Sequence, residues 1–246
     1  QGSPTSVTAY LAAAPKIAAY AMVIRLLVDT LQVEHQQWQG MLIILALLSV
    51  AVGNVVAIAQ SNIKRMLAYS TISHMGFFLF GILSGTASGY GAALFYVLIY
   101  AVMSAGAFGL ILLLSDTRGE ADQISDFQGL SQRSPMMAFL MMMLMFSMAG
   151  IPPFAGFFAK MSVIMSLVQA ELVWVAVIAV LLAVVGAFYY LRIVKTMYFD
   201  EPQSNADLAV NHPAVTTLLV VNVLVLLLIL PWIGSMIDLT QSLMAG

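Results

Sequence analysis

Seven long apolar segments dominate this chain of 246 residues, and they constrain its fold more than any other feature. A helix needs about 20 mainly apolar residues to cross about 30 Å of hydrocarbon. Segments of that character run over 5–30, 40–60, 62–84, 89–115, 134–170, 172–197 and 213–237. The sequence therefore predicts an all-α polytopic membrane protein, with seven transmembrane helices in a single transmembrane domain over 1–246.

The composition excludes most other classes of protein. Hydrophobic residues make up 62% of the chain and charged residues 8%, whereas soluble domains carry about 25% charged residues. Nine Lys and Arg against eleven Asp and Glu leave no basic surface for nucleic acid. Without cysteine, this chain can hold no disulfide, thiolate metal site or iron–sulfur cluster. We expect the lipid bilayer as its surroundings, with no nucleic-acid partner and no bound metal.

The fifth segment is too long to cross a membrane once as a continuous helix. Gly150-Ile151-Pro152-Pro153 lies near its middle, and Gly156 follows. Because proline removes a backbone donor and clashes with the preceding turn, we expect two half-helices broken at Gly150–Pro153. Two separate crossing helices are less favoured, since each apolar run has about 14 residues. We expect the break to face the protein interior, where unpaired backbone is tolerated at membrane depth.

Positive charge predicts the orientation of the chain. Alternate connections carry Lys64 and Arg65, Arg118 and Arg133, and Arg192 and Lys195, whereas 31–39, 84–90 and 170–172 carry no Lys or Arg. Basic connections face the cytoplasm by the positive-inside rule. The N-terminus of this chain is therefore predicted to be cytoplasmic and, after seven crossings, the C-terminus periplasmic.

Two lysines fall where charge is expensive. Lys16 lies about eleven residues into the first helix, close to mid-membrane at about 1.5 Å per residue. A charge there costs about 2.5–3.5 kcal/mol on insertion scales, which favours a functional role. The alternative is a lysine that reaches an interface or pairs with a buried carboxylate. Lys160 follows the break, as expected for ion handling on a broken helix; the alternative is a loop lysine.

The third helix carries a polar stripe. Lys64, Thr71 and His74 fall along one flank, and the helix also contains hydroxyls at Tyr69, Ser70 and Ser73. Histidine titrates near neutral pH and can pass a proton between its two nitrogens. A core histidine bonded to a neighbouring helix, with Lys64 as an interfacial anchor, explains the same pattern. The residues of this helix alone do not decide whether His74 passes protons or is a structural core histidine.

These residues suggest a proton relay through Lys16, Lys64, His74 and Lys160. Burial disfavours a charged amine and an acidic partner favours it, so an amine moving between such environments can take up and release a proton. A sodium site would need clustered carboxylates and carbonyls, and no carboxylate lies inside a predicted crossing segment away from its ends. A purely structural scaffold is the alternative, and it predicts that the buried lysines tolerate apolar replacement.

Three motifs resemble the antiporter-like membrane subunits of respiratory complex I, the bacterial NADH–quinone oxidoreductase. They are Asn62–Arg65 with Tyr69–Gly76, Gly150–Pro153 with Gly156–Lys160, and Tyr189–Lys195 with Met197–Pro202. The resemblance covers essentially the whole chain. A lysine at 160 favours the subunit N or L branch over M, and the absence of a lateral helix at the C-terminal end favours N.

The resemblance implies a fold of about fourteen helices with two inverted five-helix repeats. The second repeat would be 40–197, and this chain would be the C-terminal portion of the subunit. It further implies proton pumping driven by electron transfer from NADH to quinone, with Lys16, Lys64, His74 and Lys160 as the proton-carrying residues. NADH, flavin mononucleotide (FMN), iron–sulfur clusters and quinone are expected in other subunits, with no cofactor in this chain.

The resemblance also implies its surroundings. The expected partners are other membrane subunits of complex I, in a bacterial cell inner membrane. A subunit of a multisubunit Na⁺/H⁺ antiporter or of a membrane-bound hydrogenase shares the same motifs and is the alternative. Antiport would persist without NADH or quinone, whereas a complex I subunit would pump only during electron transfer.

Overall fold

The computed structural model describes residues 4–115, 121–202 and 213–245, and nearly all of them are helical. A π-helical turn at Ile24–Thr30 extends the first helix, and 3-10 turns occur at Gln32–Glu34, Ile124–Phe127 and Leu230–Trp232. The predicted all-α membrane fold is confirmed. The α-helices are α1 (Thr5–Val23), α2 (His35–Ile58), α3 (Ile63–Leu83), α4 (Ala87–Leu114), α5 (Leu130–Arg133), α6 (Pro135–Ala149), α7 (Ala155–Gln169), α8 (Val173–Phe199), α9 (Pro213–Leu228) and α10 (Ile233–Ala245).

Six helical stretches in the described part of the chain are long and apolar enough to cross a membrane. They are Thr5–Thr30, Gln32–Ile58, Ile63–Leu83, Ala87–Leu114, Val173–Phe199 and Pro213–Met244. The helices α6 and α7 have 15 residues each and are too short to cross singly. The predicted count of seven therefore holds only if α6 and α7 are counted together as one broken crossing.

Two predicted helix boundaries are wrong. The second helical stretch begins at Gln32 rather than 40, and the last continues to Ala245 rather than ending at 237. In both places polar residues, such as Gln36, Gln37 and Gln241, prolong the helix. Hydropathy marks the part of a helix that lies in hydrocarbon, whereas helical hydrogen bonding continues past it.

Connections that carry positive charge meet at one end of the bundle. The Arg192 guanidinium donates to the carbonyls of Ile58 at 2.8 Å and Gln60 at 2.7 Å, which joins the end of α8 to the end of α2. The Ile63 amide donates to the Asp122 carbonyl at 2.7 Å, so the connection before α5 is fastened at the same end. The connections at this end carry the basic residues Lys64, Arg65, Arg133, Arg192 and Lys195. Arg118, which also entered the prediction of orientation, lies outside the described residues.

The connections without basic residues meet at the opposite end. The Gln39 side chain donates to the Leu83 carbonyl at 2.9 Å, and Ser88 Oγ donates to Gln169 Oε1 at 3.0 Å. The end of α7 therefore lies beside the start of α4, and the α6–α7 pair runs from one end of the bundle to the other. The charge pattern thus separates the two ends, and the membrane side that each end faces stays a prediction.

Glycines bring α2 and α3 into close contact. A Cβ atom on Gly53 would lie 2.7 Å from the Ser73 nitrogen and 2.9 Å from the Tyr69 carbonyl oxygen. A Cβ atom on Gly76 would lie 2.8 Å from the Ala46 carbonyl oxygen. Small residues allow membrane helices to pack backbone against backbone. This contact fixes the position of α3, which carries His74.

We expect Gly53→Ala to destabilise the protein by about 1–3 kcal/mol, because the added methyl group meets backbone atoms that cannot turn away. The measurement is the thermal unfolding midpoint of the detergent-purified protein. Gly40→Ala is the matched control, since it lies on the same helix with nothing within 4 Å of a Cβ atom. An unchanged midpoint for Gly53→Ala, or equal losses in both variants, would contradict this packing.

Candidate functional site

The broken helix places the Lys160 ammonium group against freed carbonyl oxygens. The last four carbonyls of an α-helix have no partner within it, and α6 ends at Ala149. Lys160 Nζ donates to the carbonyl oxygens of Met148 at 3.0 Å and Ala149 at 2.8 Å. The Lys160 side chain, six residues into α7, is 8% exposed. The interruption of the helix thus creates the acceptors that hold the amine.

Two glycines shape this interruption. Gly150 has φ 83°, in the left-handed region that favours glycine, and a Cβ atom there would lie 2.9 Å from Lys160 Cδ. Gly156 sits in the first turn of α7, where its amide donates to Ser147 Oγ at 3.2 Å. A Cβ atom on Gly156 would lie 1.9 Å from the Ser147 carbonyl oxygen. Gly150 therefore gives the lysine its space, and Gly156 allows α7 to rest on α6.

The predicted inward direction of the break applies to its freed carbonyls, whereas its two prolines lie on the surface of this chain. Pro152 and Pro153 are exposed on the surface of this chain. Proline has no backbone N–H to satisfy, so its ring can face outward without leaving a donor unpaired. The carbonyls of Met148 and Ala149 need partners, and they turn inward to Lys160.

The charge of Lys160 is balanced by dipoles. Within the described residues, no carboxylate oxygen lies within 4 Å of its Nζ atom. The C-terminal end of α6 carries partial negative charge, which stabilises a cation. The Phe77 ring centroid lies 5.5 Å from Nζ and adds a cation–π contact. An amine held without a counter-ion can lose its proton without leaving an unpaired carboxylate behind.

His74 is bonded at both ring nitrogens to tyrosine hydroxyls. Nδ1 lies 2.7 Å from the Tyr96 hydroxyl on α4, and Nε2 lies 2.9 Å from the Tyr190 hydroxyl on α8. Neutral imidazole has one donor and one acceptor nitrogen, so one hydroxyl donates to the ring while the other accepts from it. The three side chains form a chain of hydrogen bonds that links three helices. A second bond at 2.6 Å joins Thr71 to Tyr100, beside the imidazole.

A small cavity connects His74 with Lys160. Its volume is about 10 Å³, which is room for about one water molecule. Its walls come from α2, α3, α7 and α8, and they include the amine of Lys160 and the imidazole of His74. The lining residues are Asn54, Ser73, His74, Phe77, Lys160, Ala183, Gly186 and Tyr189.

The other predicted residues lie outside this cavity. Lys64 occupies the first turn of α3, ten residues before His74, which is about 15 Å along the helix axis. Lys16 is half-buried on α1 between the buried residues Ala12 and Tyr20, and α1 packs mainly against α4. The roles of Lys16 and Lys64 in a relay stay predictions.

The supporting polar residues divide in the same way. Ser73 lines the cavity, whereas the Ser70 hydroxyl donates to the Leu67 carbonyl at 2.7 Å and Tyr69 is half-buried away from the cavity. No group of three or more His, Asp and Glu side chains in the described ranges could hold a metal ion.

Sequence reasoning missed five polar residues of the site. Tyr96 and Tyr100 lie one turn apart on α4, Tyr189 and Tyr190 lie on α8, and Asn54 stands in an apolar stretch of α2. A tyrosine does not stand out in an apolar segment because its phenol ring suits a membrane helix, although its buried hydroxyl needs a partner. Asn54 carried a readable signal, since an amide inside a membrane helix is costly unless bonded.

Comparisons with known proteins identify the family of this chain. The model of the family described as "NADH:quinone oxidoreductase/Mrp antiporter, TM" matches residues 1–186. NADH-quinone oxidoreductase subunit N of Thioalkalivibrio sulfidiphilus is 60% identical over 207 residues, which are 84% of this chain and 43% of that protein. Subunit N of Acidithiobacillus ferrooxidans is 55% identical over 229 residues, 93% of this chain and 48% of that protein.

Solved structures share the fold. A chain of respiratory complex I from Thermus thermophilus with bound aureothin matches with a TM-score of 0.81 at 28% identity, covering 97% of this chain and 52% of that chain. A chain of the Mrp complex from Dietzia sp. matches with a TM-score of 0.84 at 18% identity, covering 98% of this chain and 53% of that chain.

This chain spans about half the length of the relatives that it matches. The family model covers most of its residues, and the two subunits N match most of its length at more than half identity. The chain therefore belongs to the NADH:quinone oxidoreductase/Mrp antiporter transmembrane family.

Proposed function

We propose that this chain is part of the proton-translocating membrane subunit N of NADH–quinone oxidoreductase. In this proposal Lys160 exchanges protons with the Tyr96–His74–Tyr190 chain of hydrogen bonds through a water molecule in the cavity between them. The observation that carries it is the Lys160 amine, which is buried, held by two carbonyl oxygens and connected to His74 by that cavity. The names of the curated relatives support the choice of enzyme.

Protons fit these residues better than metal cations. A sodium or calcium site needs several oxygen ligands, and the two carbonyl oxygens freed at the break already accept from Lys160. Lysine, histidine and tyrosine can each donate and accept a proton in turn. The site therefore favours proton transfer over cation binding.

Coupling to electron transfer requires cofactors outside this chain and a way for their energy to reach Lys160. NADH, FMN, iron–sulfur clusters and quinone would be bound by other subunits, and the energy would reach Lys160 as a change in nearby charge. Lys16 and Lys64 would be further members of the relay outside the described cavity. In this view 40–197 is one of two inverted five-helix repeats, and other membrane subunits are the partners.

The chain is a multi-pass protein of the bacterial inner membrane. We place the end that carries Lys64, Arg65, Arg133 and Lys195 in the cytoplasm, because basic connections stay on that side. The N-terminus of this chain would then be cytoplasmic and its C-terminus periplasmic.

The experiment separates NADH-driven pumping from sodium–proton antiport. The purified complex that contains this chain is reconstituted in vesicles with a dye that reports internal pH. We expect acidification when NADH and quinone are added, and the same rate when choline replaces sodium. Proton movement driven by a sodium gradient without NADH, and none during NADH oxidation, would favour the antiporter alternative instead.

A further inference from the structure

Asn54 joins α2 to α8 through both halves of its amide. Its Nδ2 donates to the Leu182 carbonyl at 2.7 Å, and its Oδ1 accepts from the Tyr189 hydroxyl at 3.2 Å. The side chain is 1% exposed. Gly186 lies directly beside it, since a Cβ atom there would be 2.9 Å from Asn54 Oδ1. The amide thus occupies a place that any larger residue at 186 would close.

A second asparagine makes the same kind of joint elsewhere. Asn222 on α9 donates to the Val102 carbonyl on α4 at 3.2 Å. The residue one turn after that carbonyl is again a glycine, Gly106, where a Cβ atom would lie 2.3 Å from Asn222 Oδ1. The same joint, an asparagine amide bonded to a carbonyl beside a glycine, therefore occurs at two places in the bundle.

The two joints differ in what the amide oxygen does. Asn222 Oδ1 is buried without a hydrogen-bond partner among the described residues. Asn54 Oδ1 holds the Tyr189 hydroxyl, and both side chains line the cavity that connects His74 with Lys160. The second hydrogen bond of Asn54 is therefore directed at the cavity, beyond what joining two helices requires.

We propose that Asn54 is a positioning residue for proton transfer between Lys160 and His74, an inference that rests on the proposed function. It fixes the Tyr189 hydroxyl at the cavity wall and holds α2 and α8 at the spacing that leaves room for one water molecule. Without the amide, the hydroxyl loses this partner and is no longer held where it can bond to the water. Because an amide does not titrate, it does this without adding a charge beside the lysine.

The test uses the complete complex with four variants: Asn54→Leu, Tyr189→Phe, the double variant, and Asn222→Leu as the matched control. We expect the number of protons pumped per NADH oxidised to fall about three- to tenfold in the first two, roughly the factor that one hydrogen bond is worth. The double variant should be no worse than Asn54→Leu, because both changes break the same bond. Asn222→Leu should keep the wild-type ratio.

A normal ratio in both Asn54→Leu and Tyr189→Phe, or an equal loss in Asn222→Leu, would overturn the inference. If Asn54→Leu does not assemble, Tyr189→Phe decides alone, since it removes the hydroxyl and leaves the bond to Leu182. Lys160→Ala in the same assay distinguishes a failure of the proposed function from a failure of the positioning role of Asn54. A normal ratio in Lys160→Ala contradicts the proposed function, whereas loss there with a normal ratio in Asn54→Leu and Tyr189→Phe overturns the positioning role alone.

Discussion

Lys160→Ala is expected to lower proton transfer through this subunit by about 100-fold or more, the range that one positioned acid–base group contributes. The substitution removes the amine that bonds to the carbonyls of Met148 and Ala149 and lines the cavity beside His74. The measurement is the initial rate of vesicle acidification by the reconstituted complex, divided by the rate of NADH oxidation.

The matched control is Lys195→Ala. Lys195 lies on α8, is 65% exposed and pairs with Asp200 at 2.5 Å. Its replacement by alanine therefore also removes a lysine side chain, but one that does not line the cavity. A surface ion pair contributes about 0–1 kcal/mol, and we expect normal pumping. Near-normal acidification and quinone reduction in Lys160→Ala would show that the buried amine carries no protons.

Gly156→Ala is expected to prevent α7 from packing on α6. The added Cβ atom would lie 1.9 Å from the Ser147 carbonyl oxygen, and overpacking of this kind costs about 1–3 kcal/mol and occasionally more. Gly156 lies in the first turn of α7, the helix that carries Lys160. A displacement of α7 therefore also separates the Lys160 amine from the carbonyls of α6. We expect a lower thermal midpoint and a loss of pumping together.

Gly234→Ala is the matched control for this change. It places the same methyl group on a helix, with nothing within 4 Å of the Cβ atom. Stability and pumping should both stay at the wild-type level in this variant. A Gly156→Ala protein with an unchanged thermal midpoint would mean that the α6–α7 contact is looser than described.

The sequence predicted the membrane fold and the break for physical reasons that act locally. Apolar runs of sufficient length require helices in hydrocarbon, and Pro152 and Pro153 cannot continue one. The outward direction of these prolines could not be predicted in the same way. It depends on which groups at the break still need hydrogen bonds, and those are the carbonyls that turn toward Lys160.

The sequence predicts those site residues that carry a charged or titratable group in an apolar helix. It does not predict those whose polar group is attached to an apolar ring. Lys160 and His74 stand out in apolar helices, and the structure brings them to one cavity. Tyr96 and Tyr190 do not stand out, because a tyrosine ring suits a membrane core and only the tertiary fold shows what its hydroxyl bonds. Lys16 stands out equally, yet it lies on α1 outside the cavity.

Proton pumping by Lys160→Arg tests the central claim most directly. Arginine keeps the positive charge and can bond to the same carbonyls, but it does not release its proton in proteins. The account predicts an assembled complex whose ratio of protons pumped to NADH oxidised falls as far as in Lys160→Ala. A wild-type ratio would show that position 160 supplies a fixed charge, and would contradict proton transfer through this amine.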